Sequence, residues 1–288
     1  MTTTALWMFA ACLGGLSIAF LAAWEWHRRI RNGGVADIAW TFGIMLGAWF
    51  YAVAGTGAPA RRWAVVAMSS AWGLRLGVHL ARRVLADPEE EPRYADLRRT
   101  WGAQANMKMF LFFQVQALVA ALCTLPFLFP SFNAEPMAGG ASGWPFGVVE
   151  SAGLFSIIFG LTGVAVADAQ LAAFKRGEKK NPSTVAGTKV CRVGLWRISR
   201  HPNYFFECFV WTGFGLFSVA SPAGWIGLLA PAMIIYFLLY VTGIPATEAQ
   251  AVRSKGDEYL AYQREVSVLV PWFPSENPAP AGGTAGDS

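Results

Sequence analysis

Seven stretches of this chain run for about the thickness of a membrane with little or no charge: Thr2–Trp24, Ile38–Ala60, Trp63–Ala81, Met109–Ala134, Trp144–Phe174, Phe205–Ala220 and Pro222–Gly243. Hydrocarbon cannot satisfy backbone N–H and C=O groups, so stretches of about 20 apolar residues bond within themselves as helices. The last two derive from one uncharged run, Cys208–Thr247, which is too long for one crossing. It is divided at Ser221-Pro222-Ala223-Gly224, where a tight turn costs little. Composition agrees: 55% of the 288 residues are hydrophobic and 14% charged, against about 25% charged in a soluble domain. Ordinary soluble folds are excluded, and the thirteen tryptophans suit bilayer interfaces. The expected fold is an all-α integral membrane protein, a seven-transmembrane-helix bundle with membrane lipids around it.

Orientation follows from the basic residues. Twenty of the 23 Lys and Arg lie after the first, third, fifth and seventh stretches, Arg61 and Arg62 lie on the opposite side, and Arg75 falls inside a stretch. The positive-inside rule predicts an outer N-terminus and a cytoplasmic C-terminus. Thr2–Trp24 has no basic residues ahead of it and is read as a retained first helix. Residues 1–273 are expected to form a single membrane domain, followed by a disordered Pro-, Ala- and Gly-rich tail over 274–288. The net charge of +5 reports loop charge in such a chain, so no nucleic-acid partner follows. Cysteines at 12, 123, 191 and 208 make no CxxC pair and histidines occur only at 27, 79 and 201, so neither a zinc site nor a disulfide framework is expected.

Ionisable residues inside a bilayer cost about 2.5–3.5 kcal/mol each and call for partners. Arg75, His79 and Arg82 recur at i, i+4 and i+7 on one helical face. That stripe reads either as Arg82 snorkelling above ordinary interhelical hydrogen bonds or as a ligand-facing surface. Asp168 sits in an apolar stretch with Lys175 two turns later, too far for an i, i+4 pair, so a functional role is favoured. The eight cations from Lys175 to Arg200 suit a lipid-anchoring patch or a phosphate cradle, and charge alone does not separate them. The sharpest string runs from Gly194 to Glu207 and contains Arg197, Arg200, His201, Pro202, Asn203 and Tyr204. Pro202 suits the first turn of a helix, with His201 near its N-cap. A helix N-terminus attracts anions. The upstream arginines offer charge to a pyrophosphate, and Asn203 and Glu207, one turn apart, offer directional hydrogen bonds. The plainer alternative is a cationic loop held to lipid.

This string, with Asp168 upstream and Glu248, Tyr259-Leu260-Ala261-Tyr262 and Val270-Pro271-Trp272 downstream, resembles the bacterial DUF1295 family, placed with the steroid 5-alpha-reductase and sterol-reductase superfamily. Asp37-Ile38-Ala39-Trp40 and Trp72-Gly73-Leu74-Arg75-Leu76 extend the likeness over roughly Val35 to Trp272. The resemblance implies a multi-pass enzyme of the bacterial inner membrane that holds NADPH and reduces a carbon–carbon double bond conjugated to a ketone in a lipophilic, steroid-like small molecule. It implies cofactor-binding roles for Asp168, Lys175, Arg197, Arg200, His201, Asn203, Tyr204, Glu207, Glu248, Tyr259 and Tyr262. It places the first four stretches on the substrate side and the rest on the cofactor side. Steroid reductases polarise the enone oxygen with an acid and a tyrosine, and here the third stretch has no tyrosine. Asp37 and His79 are the nearest donors and the expected catalytic residues. His79 is preferred, because a reference pKa of about 6.5 leaves a usable protonated fraction. Two other readings remain: an S-adenosylmethionine-dependent membrane methyltransferase resembling the isoprenylcysteine carboxyl methyltransferases, which share an Arg-His-Pro-x-Tyr string, and a non-catalytic lipid-binding relative.

Overall fold

A computed structural model describes residues 2–86, 90, 92–135, 144–180 and 188–274. Of the tail expected to be disordered, 274–288, all but residue 274 lies outside the described residues. Among them every regular element is helical: α1 (Thr2–Ile30), α2 (Val35–Ala54), α3 (Pro59–Ala86), α4 (Pro92–Trp101), α5 (Ala105–Cys123), α6 (Leu125–Phe132), α7 (Val148–Lys180), α8 (Pro202–Val219), α9 (Leu229–Tyr236), α10 (Ile244–Lys255) and α11 (Asp257–Glu265). Short 3-10 turns precede α5, α8 and α9, and a π-turn over Phe237–Val241 follows α9.

Helix occupies most of each of the seven apolar stretches, and six helical segments are long and apolar enough to cross a membrane: Thr3–Ile30, Val35–Ala54, Pro59–Ala86, Tyr94–Phe132, Val148–Gly177 and Gly224–Lys255. The predicted sixth crossing, now α8, is not among them. Its eighteen residues begin with Pro202, Asn203 and Tyr204 and include Glu207, so the polar first turns dilute the apolar remainder. The break predicted at Ser221–Gly224 is present. The chain leaves α8 after Val219 and turns back through Ala223, whose φ is 60°, before the 3-10 turn at Gly224.

The chain forms two compact units, residues 1–155 with 212–231, and residues 156–211 with 232–288. In the first, Trp72 and Phe127 pack edge-on against Phe214 at centroid distances of 6.3 and 4.9 Å, deep in the apolar core. At one end of α3, the Arg61 Nε donates to Glu150 Oε1 at 2.6 Å while its Nη1 donates to the Glu135 carbonyl at 2.7 Å. Glu150 also accepts from the Gly147 N–H at 2.9 Å. Both ionic side chains are almost fully buried, so the pair and these backbone bonds together stand in for the water that each charge has lost.

The second unit depends on close helix contact. Ser156, Gly160 and Gly163 line α7 where it meets α8: the Ser156 hydroxyl donates to the Phe209 carbonyl at 2.8 Å, and a Cβ on Gly160 would lie 2.7 Å from the Phe206 carbonyl oxygen and 2.8 Å from Val210 N. Small residues let helices in lipid approach until their backbones touch, where van der Waals packing replaces the absent hydrophobic drive. Because the obstructing atoms are backbone, Gly160→Val is expected to destabilise the protein by about 1–3 kcal/mol. Thermal unfolding in detergent, followed by circular dichroism, checks this against Gly14→Ala, a position with open space around it. Equal midpoints for the two variants would refute the close contact.

Candidate functional site

The predicted residues fall into two groups. Asp37 and His79 belong to the first unit, and all eleven predicted cofactor residues belong to the second.

In the second unit the site begins where the chain enters the 3-10 turn Gly194–Arg197. Gly194 has φ 58°, a conformation without strain only for glycine, and a Cβ there would collide with the Gln170 amide. That amide accepts from Leu195 N at 2.9 Å, and the Trp196 indole donates to the Ala167 carbonyl at 2.9 Å, so the turn is docked on the later part of α7. The segment after α11 then lies along residues 198–200. Trp272 N donates to the Ile198 carbonyl at 2.8 Å, Ser199 Oγ to the Leu269 carbonyl at 2.7 Å, and Arg200 N to the Ser267 carbonyl at 2.8 Å.

At the centre stands Glu248 of α10. Its Oε1 accepts from Arg200 Nε at 2.6 Å and lies 3.2 Å from His201 Nε2, while its Oε2 accepts from Gln263 Nε2 at 2.9 Å. A carboxylate only accepts, so this contact requires the proton on His201 Nε2. Arg200 Nη1 donates further to the carbonyls of Gln263 (2.9 Å) and Val266 (2.6 Å). The Tyr262 hydroxyl reaches the carbonyls of Trp196 at 2.5 Å and Ser199 at 3.2 Å. Burial, reinforced by the neighbouring Tyr259 and Cys191, pushes the Tyr262 phenol above its ordinary range. Burial and then Glu248 push Tyr259 up to about 12. Both tyrosines are therefore neutral hydrogen-bonding groups at physiological pH. A second clip closes the same region. Glu258 accepts from Lys189 N at 2.9 Å and Val190 N at 3.1 Å; burial raises its carboxyl, but these hydrogen bonds together with the one from the Thr188 hydroxyl outweigh that and hold it below the usual range.

Arg200, predicted to present charge to a pyrophosphate, is thus directed at Glu248 and two backbone carbonyls. His201, Glu248 and Tyr262 belong to the same internal tie. The prediction that His201 precedes a helix opened by Pro202 is met, with Phe205 N donating to the His201 carbonyl at 3.1 Å. The His201 ring stacks on Tyr204 at 5.3 Å and 9° between planes, and the Tyr204 hydroxyl lies 3.1 Å from Thr247 Oγ1. Asn203 and Glu207 are half-buried one turn apart on α8: Asn203 Oδ1 accepts from Tyr204 N at 3.0 Å and Glu207 Oε1 from the Trp211 indole at 3.2 Å. Asp168 is half-buried, next to the Ala167 carbonyl that receives Trp196, while Lys175 and Arg197 are exposed. Gln263 and Thr247 were missed by sequence reasoning. Gln263 shares α11 with Tyr259 and Tyr262, so the tyrosine string was the one available pointer to it.

In the first unit the structure sets Tyr94, not foreseen from sequence, against Asp37: the phenol donates to Asp37 Oδ1 at 3.0 Å. Tyr94 is 1% exposed, and its ring passes so close to the α1–α2 turn that a Cβ on Gly33 would come within 2.3 Å of it. Glu90 secures the same turn, accepting from Gly33 N at 2.9 Å and from Arg98 Nε at 2.9 Å. Arg98 in turn lies 3.0 Å from Nε2 of the buried His27. His79 occupies an exposed position on α3. The overlooked signal was a tyrosine followed by Arg98 at i+4 within a loop read only for its cations.

A multi-pass helical membrane protein with a charged knot beside the start of α8 and an acid–phenol pair on α2 and α4 is the class that fold and sites define. The chain belongs to DUF1295, a family of proteins of unknown function whose model matches residues 23–266. No curated protein and no solved structure matches it.

Removing one partner of a buried ion pair costs about 3–5 kcal/mol because the other charge is left stranded. Glu248→Ala is therefore expected to lower thermal stability sharply and to expose the chain after Lys255 to protease. The double variant Arg200→Met, Glu248→Leu should recover much of that loss. A double variant no better than the single one would show that the knot is not held by charge pairing.

Proposed function

We propose that this protein is an NADPH-dependent membrane reductase acting on a carbon–carbon double bond conjugated to a ketone in a lipophilic, steroid-like molecule, with seven crossings, an outer N-terminus and a cytoplasmic C-terminus. The observation that carries the reading is the Asp37–Tyr94 pair. A phenol backed by a carboxyl group suits an enone: when protonated, Asp37 can donate to the Tyr94 oxygen and release the phenol hydrogen to the substrate ketone. That hydrogen bond strengthens as the oxygen takes on enolate charge, so it acts mainly on the transition state. Tyr94 fills the part for which the third apolar stretch offers no tyrosine, and it displaces His79 as the favoured donor.

The residues of the second unit fit the cofactor's chemistry. Exposed Lys175 and Arg197 suit phosphates, while Asn203, Glu207 and Asp168 offer acceptors and an amide for ribose hydroxyls and a carboxamide. Tyr204, stacked on His201, offers an aromatic face. Arg200, His201, Glu248, Tyr259 and Tyr262 shape this surface from behind. NADPH, when bound, supplies the hydride delivered to the β-carbon of the enone. The basic loops support the orientation, since twenty of the 23 Lys and Arg follow alternate apolar stretches.

Thermal melts of the detergent-purified protein with NADPH, NADH, S-adenosylmethionine or no ligand should show the largest rise for NADPH. A rise with S-adenosylmethionine alone would replace the reductase reading with a methyltransferase. Glu207→Gln should weaken NADPH binding with the fold intact. With a 3-keto-4-ene steroid as the probe substrate, Tyr94→Phe should cut kcat about a hundredfold or more while NADPH affinity holds. His79→Phe should leave kcat near wild type; the reverse pattern would return the donor role to His79. Reporter fusions at Ser221 and after Trp272 should fall on opposite sides of the membrane, and the same side for both would end the seven-crossing arrangement.

A further inference from the structure

Large apolar side chains exposed along the membrane-crossing helices need no explanation, because lipid covers them. A second group lies outside every segment long and apolar enough to cross. Val268, Val270, Trp272 and Phe273 are exposed by 40, 55, 69 and 85% in the non-helical chain after α11. Leu260 of α11 and Val193 just before the 3-10 turn are exposed as well. Four large apolar side chains exposed within six consecutive residues mark a place where something docks.

The location of the segment identifies what covers it. Its backbone is tied to residues 198–200 by three hydrogen bonds, through Ser267, Leu269 and Trp272. The turn just before those residues is fastened in its turn to α7 at Ala167 and Gln170. Phe174, the last apolar residue of that crossing helix, is seven residues beyond Ala167, about 10 Å along the axis. The segment is thus held beside the final turns of a membrane-crossing helix, at the edge of the hydrocarbon. Tryptophan and phenylalanine next to exposed arginines such as Arg197 and Arg264 are the composition that settles at that level.

We propose that Val268–Phe273 is a membrane-surface anchor whose side chains insert into the interfacial layer of the bilayer on the side where α7 ends. The anchor lies flat and does not cross. The Leu269 carbonyl of the anchor and that of Ser267 just before it accept from Ser199 Oγ and Arg200 N, so lipid contact presses the Glu248 knot into register. This holds whatever ligand the second unit takes.

The test uses full-length protein reconstituted in phosphatidylcholine vesicles, with nitroxide labels on Trp272→Cys and, separately, Val270→Cys. The native cysteines are buried or half-buried, and labelled wild type sets the background. Asp257→Cys serves as a water-exposed reference and Val166→Cys as a lipid-facing one. Collision with oxygen should exceed collision with an aqueous nickel chelate at both test positions, giving depths between the two references. Nickel accessibility equal to that of Asp257→Cys would overturn the proposal. So would spin–spin broadening that disappears on dilution with unlabelled protein, since a second copy would then cover the patch. Because neither readout involves NADPH, the result is distinct from success or failure of the reductase reading.

Discussion

Hydrocarbon offers no hydrogen-bond partner, and this constraint organises both units. Backbone groups close on themselves in helices, and the polar side chains that remain are gathered where helices end or meet. Arg61 and Glu150 join at the start of α3 and α7, Tyr94 and Asp37 at the start of α2, and Arg200, His201 and Glu248 where α8 and α10 begin. None of these groups is left to lipid. Each is also a place where a chain segment changes direction, so polar pairing and topology are solved by the same side chains.

The Glu248 knot shows how such pairing shapes a site without itself being an open binding surface. One carboxylate collects donors from Arg200, His201 and Gln263, which come from two distant parts of the chain. Arg200 adds two carbonyls near the end of α11, and Tyr262 adds two in the turn before α8. The conformation at the start of α8 is consequently over-determined. Asn203, Tyr204 and Glu207 inherit fixed positions from it. A pre-organised surface binds without having to order itself at the moment of binding, which is the advantage this knot would give a ligand site built on the start of α8.

Much of the helical plan was legible because membrane crossing imposes a length and an apolar composition that few other structures share. The break near Ser221 and the opening of α8 at Pro202 were legible for local reasons, proline chemistry and turn-forming residues. The candidate site was legible only in part. Arg200 and Tyr262 were recognised as important, but a motif does not reveal whether a cation points at a ligand or at a carboxylate 48 residues later. Tyr94 was hidden because its partner lies 57 residues away and its surroundings are charged, so neither periodicity nor hydropathy marks it. The small-residue face of α7 was hidden for a similar reason: Gly160 and Gly163 in an apolar stretch look like ordinary membrane glycines until α8 is laid on them.

The relation between Asp37 and Tyr94 bears on how this fold can handle a proton beside lipid. A lone carboxyl group there must either stay neutral or meet a cation, and a lone phenol is a poor acid. Hydrogen-bonded together at 3.0 Å, the phenol satisfies the carboxyl oxygen with a neutral donor, so neither group is left to face hydrocarbon alone. The ring of Tyr94 is wedged over Gly33, and Glu90 and Arg98 brace the turn that carries Gly33, so the pair cannot drift apart without disturbing α1, α2 and α4 together. Rigid placement of a donor is what distinguishes electrostatic catalysis from mere proximity of an acid, and under the proposed reductase activity that rigidity is what would let the α2–α4 junction receive developing negative charge.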